Sequence, residues 1–140
     1  MKSTICTAFG FIGTCLAAAL GGWDHAIIAL CAFMAIDYET GLVVAAVFHA
    51  SKKSDSGALK SHAAFKGLLK KCMILLLVVV ANLLDQQIGA SYIRDGVCIA
   101  FMVNEVISIV ENASLMGLPI PKVITNALDI LKAKQEEETK

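Results

Sequence analysis

The sequence lacks every familiar catalytic signature. It contains no G-x-S-x-G elbow, no Walker A loop and no H-E-x-x-H helix, so nothing in it points to a serine hydrolase, a P-loop nucleotide enzyme or a zinc protease. No C-x-x-C pair occurs among Cys6, Cys15, Cys31, Cys72 and Cys98. All five sit in or beside apolar stretches, where cysteine acts as a small hydrophobe. Neither a metal centre nor a disulfide is expected. His25, His49 and His62 are scattered and read as interfacial or solvated side chains. Formal net charge is zero, so overall charge gives no argument for a nucleic-acid partner, and none is expected. Charge is missing altogether from Thr4 to Gly22. The expectation is a protein that is not an enzyme, with no catalytic residues and no cofactor.

What is present is apolar surface. Of the 140 residues, 57% are hydrophobic without counting the ten glycines, and the mean hydropathy is +0.71. Soluble domains reach only ~45–50% with glycine included. A chain this short lacks the interior to hide so much, so lipid is the expected solvent. About 20 helical residues cross a bilayer core of about 30 Å, and four stretches approach that length: residues 4–20, 25–50, 72–88 and 91–116. The expected fold is all-α and integral to the membrane, with four transmembrane helices arranged as two helical hairpins. Three spans are the alternative, because Lys2, an apolar core and Ala17, Ala18 and Ala19 also fit a cleavable signal peptide.

The links support this division. Gly21 and Gly22 separate the first pair, with Trp23 at a lipid interface, and Gly89 stops the third helix. Residues 51–71 form a basic link with six lysines against Asp55, which the positive-inside rule assigns to the cytoplasm. Both termini then fall in the cytoplasm. Gly117 to Pro121 closes the membrane domain, residues 1–118. Residues 119–140 form a cytoplasmic segment. In it Val123, Ile124, Ala127, Leu128 and Leu131 mark a short amphipathic helix, and residues 134–140 a charged, disordered tail.

The charges that interrupt apolar stretches are the candidate functional residues. A charge at the bilayer centre costs ~2.5–3.5 kcal/mol on insertion scales and should face protein or water. Asp37 interrupts the second span. Asn104, Glu105, Ser108, Glu111 and Asn112 make a broad polar stripe on the fourth. They are candidates either for gluing the bundle or for lining a hole formed by several subunits. Lys70 and Lys71 are candidate ion-pair partners, level with Glu111. Gly13, Ala17 and Gly21 recur every four residues, and Gly41 stands four before Ala45. Such spacing lets helices approach closely in lipid.

In order and spacing, these motifs resemble the toxin-secretion/phage-lysis holin family. The resemblance runs from about Ala35 to Leu131. It is carried by Asp37, Tyr38, Glu39, Thr40 and Gly41, then Lys70 and Lys71, then Asp85. Asn104 and Glu105, Ser108, Glu111 and Asn112 follow, and Gly117-Leu-Pro-Ile-Pro121 completes it. It implies a non-enzymatic protein that forms homo-oligomers in the bacterial host's cytoplasmic membrane and opens lesions. Through these an endolysin acts on the cell wall, or a toxin leaves. A small ion or solute channel using Asp37 and Glu105, and a membrane scaffold recruiting a cytoplasmic partner, are the alternatives.

Overall fold

The computed structural model describes residues 1–53, 55–57 and 60–138. Five helices follow one another: α1 (Lys2–Ala19), α2 (His25–Ala46), α3 (Ser61–Ile88), α4 (Ile93–Leu115) and α5 (Lys122–Glu138). There is no strand among the described residues. The glycines end the helices as expected. At the end of α1, Gly21 and Gly22 take φ of +83° and +102°, and their N–H groups donate to Ala18 O and Ala17 O. Gly117 does the same for α4, with its N–H on Ser114 O and that of Leu118 on Ala113 O. Both are left-handed caps that satisfy the last carbonyls of a helix. Asp24 opens α2 by accepting from the N–H of Ile27, the usual role of an aspartate at this position.

Two helices, α2 and α3, are long and apolar enough to cross a membrane, which corrects the expectation of four. The α1 stretch from Ser3 to Ala19 is apolar but shorter. α4 has the length but contains Arg94, Asp95, Glu105 and Glu111. Two of those, Arg94 and Glu105, are buried inside the bundle, so composition alone misstates what α4 shows to its surroundings.

Other boundaries also move. α2 ends at Ala46 rather than at residue 50. The basic link is shorter than expected, since α3 begins at Ser61 and takes in Lys66, Lys70 and Lys71. Hydropathy marks where lipid contact begins, whereas lysine is a good helix former and continues the helix beyond it. Positions 54, 58 and 59 of that link lie outside the described residues. α5 runs through Glu138, so the expected disordered tail is helical over residues 134–138. Residues 139 and 140, and the side chain of Leu131, lie outside the described residues.

The expected pairing of α1 with α2 is not formed. α2 packs mainly on α4, α3 lies against α4, and α1 lies against α3. The inner face of α2 is filled by α4, and the turn after α1 is held over the end of α3 by side chains described below. Along the three central helices the inward positions recur every seven residues: Leu30, Asp37 and Val44 on α2; Lys71, Val78 and Asp85 on α3; Cys98, Glu105 and Asn112 on α4. This is the spacing that keeps one seam facing a partner helix. The apolar core fills the middle of that seam with Leu20, Ile27, Leu30, Met34, Val78 and Cys98. Large apolar side chains cover the outside, among them Phe9 and Phe11 on α1 and Met73, Leu76 and Val80 on α3. An exposed apolar surface of this extent marks contact with lipid or protein.

Candidate functional site

The seam carries two polar layers, one at each end of the apolar core. Lys71 and Asp85 mark them on α3. They are 14 residues apart, or about 20 Å along a helix.

The inner layer joins three helices. Lys71 Nζ of α3 lies 2.8 Å from Asp37 Oδ2 of α2 and 2.5 Å from Glu105 Oε2 of α4. Asn112 of α4 reaches the other oxygen of Asp37, Oδ1, at 3.2 Å, and Thr40 Oγ1 at 3.0 Å. Ser108 borders Asp37 on the same side. Gly41 lies beside the Asn112 amide, where a β-carbon would make ordinary contact at 3.7 Å. One ammonium serves two carboxylates, so the layer carries one formal negative charge more than it neutralises. Removing one member of a buried pair costs ~3–5 kcal/mol, because the other charge is stranded.

The outer layer is built on Arg94, the only arginine in the chain. Its guanidinium grips both oxygens of Asp24, at 2.6 and 3.1 Å. It also donates to the carbonyls of Leu20 at 2.6 Å and Gly22 at 3.3 Å. This fork geometry is what arginine offers and lysine does not. The hydrogen bond from Arg94, supported by the Ile27 N–H, holds the Asp24 carboxyl down at about 2. Asp85, from the end of α3, accepts from the N–H groups of Ile93 and Arg94 and so caps α4. Asn82 donates to Ala19 O at the end of α1. Gly21 lies beneath these groups; a β-carbon there would stand 2.6 Å from Asn82 Oδ1 and 2.8 Å from Arg94 Nε.

The structure thus divides the expected polar stripe. Asp37, Glu105, Ser108 and Asn112 meet in the inner layer, while Asn104 and Glu111 are exposed. Lys71 is an ion-pair residue, but with Asp37 and Glu105 rather than with Glu111, and Lys70 is exposed without an acidic partner among the described residues. Among the small residues, Gly21 serves the turn, and Gly41 borders Asn112 with room for a β-carbon. Gly13 faces open space, with nothing within 4 Å of a β-carbon, and Ala17 is half-buried. Sequence reading missed Arg94, Asp24 and Asn82. The signal for Arg94 was its uniqueness: a lone arginine among eleven lysines.

Relatives share this chain over most of its length. An uncharacterized protein of Clostridium perfringens strain 13 is 35% identical over 134 residues, covering 93% of both chains. An uncharacterized protein of Listeria monocytogenes is 35% identical over 119 residues, 84% of this chain and 79% of its own. A probable holin of Bacillus phage phi105 is 30% identical over 105 residues, 74% of this chain and 72% of its own. No solved structure matches. The bacteriophage holin family matches residues 14–133, nearly the whole helical body with both polar layers, and the chain belongs to that family.

Proposed function

We propose that this protein is a phage-type holin that oligomerises in the cytoplasmic membrane of a bacterial host. There it opens lesions through which an endolysin, or a toxin, passes. The family is a membrane-permeabilising, non-enzymatic one. In this reading α2 and α3 cross the membrane with α1 and α4 packed against them, and the link that carries Lys52, Lys53 and Lys60, with the lysine-bearing start of α3, lies on the cytoplasmic side.

The observation that carries the reading is the Asp37–Lys71–Glu105 layer inside a bundle with an apolar exterior. Fixed charges in such a place are costly, and here Lys71 offsets part of that cost only while α2, α3 and α4 stay together. The closed bundle hides the groups that an opened assembly would turn to water. Asn104 and Glu111 already lie on the outside of α4, available to a second copy. A simple cation channel fits less well, because Lys71 occupies both carboxylates that it would use.

The test is induced expression in a bacterium, with and without a cytoplasmic endolysin. Abrupt growth arrest, and lysis only when the endolysin is present, is the expected result. Steady growth at high membrane levels of the protein would overturn it.

A further inference from the structure

Where α2 ends and α3 begins, the two helices diverge around a cavity of about 370 Å³. Its lining is strongly basic: Lys53, Lys60, Lys66, Lys70 and Lys71 all border it. Only Lys71 has an acidic partner among the described residues. The two carboxylates in the lining, Asp37 and Glu105, share Lys71, and against them the five lysines leave a formal surplus of three positive charges. The first N–H groups of α3 open nearby without a side-chain cap from Lys60, which adds the positive end of a helix.

The lining also includes the apolar Leu42, Ala45 and Ile74. Phe65, Leu68 and Leu69 are exposed on the opposite face of α3, so the apolar contact offered inside the cavity is that of Leu42, Ala45 and Ile74. A diffusible anion would use the lysines and leave these apolar side chains without a partner. A phospholipid uses both, with its phosphate on the lysines and the start of its chains against Leu42, Ala45 and Ile74. Basic pockets between membrane helices on the cytoplasmic side suit acidic headgroups, and the volume falls in the range of small-molecule sites.

We propose that this cavity binds the phosphate headgroup of an anionic phospholipid of the inner leaflet, held chiefly by Lys60, Lys66 and Lys70. The inference rests on the membrane reading above, so insertion is checked first. Carbonate-resistant retention in membranes tests that reading, and lipid selectivity of the inserted protein tests this one.

The full-length protein in maltoside micelles is titrated with phosphatidylglycerol or phosphatidylcholine of the same chain length, and bound lipid is counted by native mass spectrometry. Phosphatidylglycerol is expected to bind more tightly by about tenfold or more. K66Q/K70Q should lose that preference, K66R/K70R should keep it, and the charge-matched K122Q/K132Q should leave it unchanged. Both residues are exposed, and an unaltered thermal melt confirms that the fold survives. Equal binding of the two lipids, or full preference in K66Q/K70Q, overturns the proposal. So does complete displacement of phosphatidylglycerol by millimolar inorganic phosphate, which assigns the cavity to a free anion.

Discussion

Lys71 reaches Asp37 across the seam between α3 and α2, with 2.8 Å between ammonium and carboxylate, and bridges the same carboxylate to Glu105. Lys71→Met strands two buried acids and should destabilise the bundle by ~3–5 kcal/mol. The triple variant Lys71→Met, Asp37→Asn, Glu105→Gln removes every charge at once and should recover most of that loss. Thermal unfolding in micelles, followed by the fluorescence of Trp23, measures both. A triple variant no better than Lys71→Met would show that the layer is not held by its charges.

Glu105 and Glu111 lie six residues apart on α4 and are expected to behave differently. Glu105→Gln removes the carboxylate in excess over Lys71 and should shift the onset of lysis at equal protein levels. Glu111→Gln changes an exposed side chain and should leave the onset nearly unchanged. Lysis curves from matched induction separate the two. Equal shifts would mean that onset follows total charge and not the buried layer.

Much of this arrangement is legible in the sequence, and the part that is not has a definite cause. Helices α1 to α4 follow from apolar length, and their ends follow from Gly21, Gly89 and Gly117. Rotational phase is harder. Adjacent residues on a helix point about 100° apart, so Lys70 and Lys71, or Glu111 and Asn112, are equivalent to a reading that counts polar residues along the chain. The sevens decide between them: Lys71 shares its phase with Val78 and Asp85, and Asn112 shares its phase with Cys98 and Glu105. Arg94 needs more than phase, because its partners are carbonyls of a turn seventy residues away in sequence. No local pattern records that meeting.

Asp24 links folding to pH. Its carboxyl is held at about 2 against an ordinary value of 3.8, so the folded state favours the charged form. The stabilisation is fully present above about pH 4 and is lost as pH falls toward 2. The side chain is 48% exposed, and solvent screening keeps the effect to about 1 kcal/mol or less. Asp24→Asn preserves the helix cap and removes the titration. Its melting temperature should therefore fall less steeply between pH 5 and pH 2 than that of the parent. Identical slopes would place the acid sensitivity elsewhere.

Gly13 and Gly21 belong to one small-residue series but occupy different surroundings, and substitution should separate fold from assembly. Gly21→Ala places a β-carbon against Asn82 and Arg94 and forces a left-handed φ of +83° on alanine. It should lower bundle stability by ~1–3 kcal/mol. Gly13→Leu adds a side chain into open space and should leave the melt of the single bundle intact. If the Gly13 face joins subunits, the same leucine blocks close helix approach and should weaken crosslinked oligomers in membranes. A normal melt with fewer crosslinks places the subunit contact on α1. Undiminished crosslinks at equal expression would move it to another face, with the exposed Asn104 and Glu111 side of α4 the next to examine.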